Sequence, residues 1–424
     1  MRVLIAPFGS HGDVHPLLGL GTALRERGHE VIYLIAAEFG PTIERLGFPV
    51  VPLGDGKLFR EIIDHPDLWH PRKAFPLVAK GVAIATRKTY EEIAARVIPG
   101  ETVAVGGTLA LGVRVAGEKL GIPTATVHLQ PSILHSNVGT PVYPGLKMPR
   151  WCPVWLRRAF FETLYSRVLD PHVAPDLNGL RAELSLPPAR RIMMSWIHES
   201  PLVIGFFPEW YGPPQPDWPK QVRLVGFPLF DERETSPMPE DLERFLLDGP
   251  PPIAFTPGSA NVHGKAFFEA SVEACDIMDR RGLLLTRFEQ QIPKDLPATV
   301  RHVAYAPFSR LLPRVEAIVH HGGVGTAAQA MASGTPQLIM ALAHDQYDNA
   351  DRLGRLGVAR RISPKVFRGP RLAKELTELI TAPGRRAACE AVKARFSPED
   401  RPAETAALLL EELLGSWNTK SEVG

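Results

Sequence analysis

The segment "EAIVHHGGVGTAAQAMASG" (316–334) sets two histidines at the end of an apolar run and follows them with a nearly bare turn. A turn that only reverses direction needs one glycine, with Asn or Asp beside it. Here Gly322, Gly323 and Gly325 leave the backbone open, Thr326 adds a hydroxyl, and His321 offers a ring N–H. A strand that feeds such a turn, and then a helix expected to open at Thr326, aims free N–H groups and a positive dipole end at one spot. That arrangement holds a phosphate. The plain alternative is a tight turn whose histidines are satisfied internally.

Two further stretches fit the same chemistry. "AHDQYDNA" (343–350) follows the next apolar run, and its Asp345 and Gln346 offer acceptors and donors suited to the vicinal hydroxyls of a sugar. A solvated, helix-capping acidic loop is the simpler reading of it. "FGSHGDVHPLLGL" (8–20) sets Asp13 between His11 and His15, so one of the three can act as a general base. As structure alone, Asp13 caps a helix opening near His15, with Pro16 in its first turn. "FTPGSANV" repeats the strand-to-glycine pattern and brings Ser259 toward the same diphosphate, while Tyr305 in "YAPF" can stack on a base. Each of these last two is ordinary turn chemistry when taken alone.

Positioning these residues requires a parallel sheet. "RVLIAPF", "EVIYLIA", "TVAVGG" and "IPTATVHL" are short apolar strands separated by segments of helical spacing, and the pattern restarts at "PPIAFTPGS". "GLLLTRF", "VRHVAYAP", "EAIVHH" and "TPQLIMA" complete the second set. Two Rossmann-like units result. The boundaries expected are 1–235 for the first, a stiff proline-rich linker at 236–250, 251–402 for the second, and 403–424 as a helix and tail that can cross back to the first.

The bulk properties exclude several classes. A chain of 424 residues is long enough for two cores, and a net charge of +2 gives no field for nucleic acid. The three cysteines, Cys152, Cys275 and Cys389, have neither disulfide nor zinc spacing, which suits a reducing cytosol. The first apolar run breaks at Pro7 and is too short for a signal segment, and no run approaches the ~18 apolar residues of a membrane span. A cytoplasmic protein is expected. No G-x-G-x-x-G follows the first strand, and P-loop and Asp-x-Asp motifs are missing, so neither a dehydrogenase nor a metal-held diphosphate is indicated. Six of the 7 tryptophans lie within the first 218 residues. "WCPVWLRRAFFETLYSRVL" there reads equally as core, as the wall of a greasy acceptor pocket, or as a membrane-touching helix.

Together, "HHGGVGT", "PQ…HDQYDNA" and "GSHGDVHPLLGL" resemble the family 1 nucleotide-sugar glycosyltransferases of the GT-B fold, from Met1 to about residue 415. The "GD" of the first loop is similar to that of sterol glucosyltransferases and glycopeptide glycosyltransferases. "DLWHPRKAF", "FPEWYGPPQPDWP" and "VGFPLFD" most resemble the rhamnosyltransferases of rhamnolipid synthesis.

The resemblance implies two parallel sheets facing across a cleft, donor bound by the second unit and acceptor by the first. It implies Asp13 as catalytic base, with His11 and His15 as second-rank candidates. Ser259, His321, Gly322, Gly323, Gly325 and Thr326 would lie at the diphosphate, Asp345 and Gln346 at the sugar, and Tyr305 at the base. Gln329 stands where plant members place a ribose-binding glutamate, and Phe308 where a glutamine often follows "AP". The expected activity is inverting, metal-independent transfer of a glucose- or rhamnose-type hexose from a UDP- or dTDP-sugar, with no cofactor, to an apolar hydroxyl acceptor such as a lipid, sterol or polyphenol. The alternatives are a nucleotide-sugar epimerase of the same fold and a non-catalytic nucleotide-sugar or lipid sensor. Peripheral membrane contact and the oligomeric state stay open.

Overall fold

The computed structural model describes residues 1–423 apart from 72, 147, 150 and 233–235, with side chains through residue 419. Within it the short apolar runs become strands of two all-parallel sheets. The first contains β1 (Arg2–Ala6), β2 (Glu30–Ile35), β3 (Val50–Pro52), β4 (Thr102–Gly107), β5 (Thr124–His128), β6 (Leu202–Gly205) and β7 (Val222–Leu224). Their order is β3-β2-β1-β4-β5-β6-β7. The second contains β8 (Ile253–Thr256), β9 (Gly282–Leu285), β10 (Val300–Val303), β11 (Ala317–His320), β12 (Gln337–Ile339) and β13 (Ala359–Arg361), ordered β10-β9-β8-β11-β12-β13. Helices cover both faces of such sheets, which is why Val3, Leu4 and Ile5 of β1 are all fully buried.

Winding reverses between β1 and β4 in one sheet and between β8 and β11 in the other. Ligands of open α/β sheets bind just beyond the carboxyl ends of strands at such a reversal. His320 pairs with Thr256 across β11 and β8, so the turns that follow, carrying His321 and Gly258, lie side by side.

Two helix starts differ from expectation. The helix after β1 spans His11–Glu26, opening at His11 rather than near His15. Ser10 is its N-cap, and Asp13 completes a reciprocal capping box. Pro16 therefore falls past the first turn, inside the helix. The helix after β11 spans Val324–Ser333 and opens ahead of Thr326, because Gly323, with extended backbone, is its N-cap.

Each unit has its own apolar core, and one helix that follows the second unit in the chain packs back onto the first. Ala406, Ala407 and Leu410 of the Pro402–Val423 helix join the core of the first unit with Leu17, Leu24 and Ile43. Glu411 anchors that helix through both guanidinium nitrogens of Arg27, at 2.7 Å, and through His29 at 2.6 Å. A further cluster straddles the units, joining Leu134, Phe207 and Tyr211 to Ala328, Met331 and Ile339. Cys152, Cys275 and Cys389 are all buried and unpaired.

Candidate active site

The turn after β11 is organised around one imidazole. A Cβ added at Gly258 would lie 2.8 Å from His321 Cε1, and one at Gly323 would lie 2.5 Å from its Nε2. The ring is thus held between two backbones that no side chain permits to approach so closely. Gly258 also has φ +100°, which an L side chain rarely adopts. Burial, with a smaller push from His344, lowers the His321 pKa to about 4, so the ring is neutral at pH 7. Its Nδ1 is buried without a partner among the described residues, as is Trp69 Nε1. The Trp69 ring comes from the first unit and stands edge-on to His321 at 6.2 Å and to His344 at 5.9 Å.

Beside this ring the Val324–Ser333 helix opens with no side-chain cap. Its first-turn N–H groups, including those of Gly325 and Thr326, lie at the positive dipole end without an intrahelical partner. Space beside Gly325 is open. Gly322 is tied into the turn itself. It is buried, with φ +95°, and its N–H donates to His320 Nδ1 at 3.1 Å, so that amide is already committed. His320 Nε2 contacts Gln337 Oε1 at 3.0 Å, and burial holds its pKa near 3. The two adjacent histidines therefore differ: His320 fixes the turn, and His321 keeps an Nδ1 without a partner among the described residues. Ser259 follows Gly258 in the neighbouring turn with an exposed side chain.

Asp345 stands at the N-cap position of the Gln346–Arg355 helix without a side-chain cap bond, and it accepts from Asn349 Nδ2 at 2.6 Å. Burial raises the Asp345 carboxyl to about 7, and the charge of Asp13 pushes the same way. Gln346 is more restricted than expected. Its Oε1 accepts from the Leu342 and Ala343 amides at 2.7 and 3.0 Å, which leaves its NH2 as the group that can meet a ligand.

Asn349, buried completely, completes the assembly. Its Nδ2 also donates to Gly322 O at 2.9 Å, and its Oδ1 accepts from Tyr211 of the first unit at 3.0 Å. One side chain thus links the turn after β11, the Asp345 carboxylate and the first unit. Its signal was present in "HDQYDNA", since Asp345 and Asn349 are spaced i, i+4 on one helix face. Next to it, Asp348 accepts from the Val142 amide of the first unit at 3.0 Å.

Across the cleft, Ser10 N donates to Asp13 Oδ2 at 2.7 Å and Ser10 Oγ lies 3.3 Å from the same oxygen. Oδ1 is the oxygen that remains to receive a proton. Burial raises the carboxyl to about 6, with the Ser10 bonds opposing, so Asp13 is ionised at neutral pH yet basic enough to accept. The two neighbouring histidines are otherwise engaged. Arg287 of the second unit donates to His11 Nε2 at 2.8 Å, and burial together with that guanidinium lowers the His11 pKa to about 3. His15 Nε2 meets Glu232 at 3.0 Å. Glu232 is buried with φ +54°, and its hydrogen bond to His15 holds its carboxyl below the usual range.

Tyr305 lies at the far end of the same group. Its hydroxyl donates to Asp231 O at 2.6 Å, and the Arg287 guanidinium stands 5.3 Å from its ring centre. A base stacking there would share the ring with Arg287. Arg287 and Glu232 sit in stretches without motif character, and no sequence signal marks them.

Comparison with known proteins follows this geometry. Residues 3–137 match the glycosyltransferase family 28 N-terminal domain, and residues 283–413 match the erythromycin biosynthesis protein CIII-like C-terminal domain. O-mycaminosyltylonolide 6-deoxyallosyltransferase of Streptomyces fradiae is 31% identical, over 97% of this chain and 97% of its own. Vancomycin aglycone glucosyltransferase of Amycolatopsis orientalis is 30% identical, over 84% of this chain and 85% of its own. The crystal structure of the glycosyltransferase VinC in complex with dTDP has the same fold, with a TM-score of 0.69 at 21% identity, covering 98% of this chain and 100% of that one.

Proposed function

The chain belongs to the family 1 nucleotide-sugar glycosyltransferases, and on that premise we propose that it transfers a hexose from a dTDP- or UDP-sugar to a hydroxyl of an apolar natural product, inverting the anomeric centre without a metal ion. The observation that carries this reading is the uncapped start of the Val324–Ser333 helix, set beside a His321 ring that Gly258 and Gly323 admit and that Trp69 of the first unit faces at 6.2 Å. Asp13 Oδ1 takes the proton of the acceptor hydroxyl as its oxygen bonds to the anomeric carbon. The bond from that carbon to the diphosphate breaks on the opposite face, and the diphosphate keeps the electron pair. Charge grows on the leaving oxygens through an oxocarbenium-like transition state. The free amides of the helix start, its dipole and a His321 N–H receive that charge, which is the role a metal would otherwise fill. Asp345 and the Gln346 NH2 hold the sugar hydroxyls. Tyr305 and Arg287 flank the base.

The relatives support the substrate classes: one is named for a macrolide-type acceptor and one for a glycopeptide aglycone, and VinC holds dTDP. Calorimetric titration with dTDP, UDP and GDP, without and with added magnesium, tests the site. Selective binding of dTDP or UDP that is indifferent to magnesium is expected. Absence of binding by all three would overturn the reading. The anomeric configuration of a product, read by NMR coupling, tests inversion separately.

A further inference from the structure

We propose that residues 151–168 form a docking face for an anionic lipid surface. The Val154–Leu164 helix packs onto the first unit through one side only. Phe161 is fully buried, and Tyr165, one turn on, is buried and shares a hydroxyl contact of 3.0 Å with Tyr143. The opposite side carries Trp155, Leu156 and Phe160 into solvent, with Trp151 just ahead of it. Trp151 is 82% exposed and Trp155 71%, values that core or pocket packing does not produce. Of the twelve large apolar side chains exposed among the described residues, six fall within 151–168. The aromatic segment is therefore neither core throughout nor the lining of a closed pocket.

The charge around the face selects its occupant. The segment carries Arg157, Arg158 and Arg167 against a single carboxylate, Glu162, and Arg191 joins that carboxylate at 3.2 Å from outside the segment. A two-fold contact between copies would set this basic rim against itself. An anionic bilayer matches it, taking the indole rings at the headgroup level and the arginines at the phosphates. No helix of the described residues is long and apolar enough to cross a membrane, so contact is from the surface.

The face also leads to the cleft. Arg157 donates to Val138 O at 3.1 Å, and four residues on in the same loop Val142 donates to Asp348, in the helix that Asp345 precedes. Docking through 151–168 therefore sets the sugar side of the cleft one loop away from the lipid.

The test is flotation of the full chain with phosphatidylcholine vesicles, neutral or containing about 30% phosphatidylglycerol. Capture by the anionic vesicles only is expected. The double variant Trp155→Glu/Leu156→Glu should weaken it at least about tenfold, and Arg167→Glu about fivefold. All three substituted side chains are exposed or nearly so, and unchanged thermal melts would confirm that the variants fold. Equal capture by neutral vesicles, no capture of the wild type, or a double variant that floats like the wild type would overturn the proposal. So would a concentration-dependent dimer that Trp155→Glu dissolves, since the face would then belong to a second copy. Neither donor nor acceptor enters this assay, so its failure leaves the transferase reading intact for the nucleotide titration to judge.

Discussion

The turns after β1 and β11 both lie at the reversal of their sheet, on either side of it, and both feed a helix, yet they treat that helix end in opposite ways. After β1, Ser10 and Asp13 close the helix start with a capping box, so the protein satisfies its own amides and fixes a carboxylate in the process. After β11, no side chain caps the helix, and the residues around it are glycines. One turn is complete in itself and presents a buried carboxylate. The other is left incomplete in a way that a diphosphate would complete. A helix start in an α/β protein thus reveals its use by what the chain withholds from it.

The comparison can be broken most directly at Asp13. Asp13→Asn keeps an acceptor for Ser10 but removes the base, so kcat should fall by about 10³-fold or more while dTDP or UDP affinity stays within a few-fold. Steady-state rates and calorimetry on the same preparation check both halves. A variant transferring at the wild-type rate would remove Asp13 from the chemistry.

Gly258→Ala attacks the other turn. The new methyl meets the His321 ring at a φ that L residues avoid, so nucleotide affinity should fall about 10- to 100-fold. The Asp13 turn is untouched, and kcat at saturating donor should change much less.

Asn349→Ala tests whether the second turn is held from behind. It leaves Gly322 O and the Tyr211 hydroxyl without Asn349, at a cost of roughly 1–3 kcal/mol in urea unfolding. Nucleotide affinity should drop about tenfold through the displaced turn.

The smallest effect, and the sharpest in sign, is on stability against pH. Asp13 titrates near 6 in the fold and near 3.8 unfolded, so its penalty is absent below 3.8 and complete above about 6. His321 titrates near 4 in the fold and near 6.5 unfolded, so its penalty is absent above 6.5 and complete below about 4. Relative to wild type, Asp13→Asn should gain stability as pH rises through its window, and His321→Gln should gain as pH falls through its own. Opposed tilts on the order of 1 kcal/mol between pH 4 and pH 7 are expected from chemical unfolding. Parallel tilts would mean that the two groups do not sit in the environments described.

Strands such as β1, β4, β8 and β11 were readable because a parallel strand buried on both faces is a short, unbroken apolar run. Helix starts were less so. Polar residues such as Asp13 and Thr326 look like caps, whereas Ser10 and Gly323, a little upstream, have the conformation that begins the helix. The site motifs were recognisable where all their members are adjacent in sequence, as at 321–326. Arg287 and Glu232 were not, because their meaning comes from His11 and His15 standing opposite them in space. The Trp151–Val168 segment was ambiguous for another reason: it is apolar on both sides, and periodicity cannot say which side the fold covers.

The return of the Pro402–Val423 helix onto the first unit bears on how the protein is made. Strands β1–β7 leave the ribosome before Ala406, Ala407 and Leu410 exist, so the apolar groove that these residues fill stands open while the second unit is being synthesised. At ~5–20 residues per second that interval is about 10 to 40 s. The first unit is begun first and finished last, and its core reaches its final form only once the second unit has been translated.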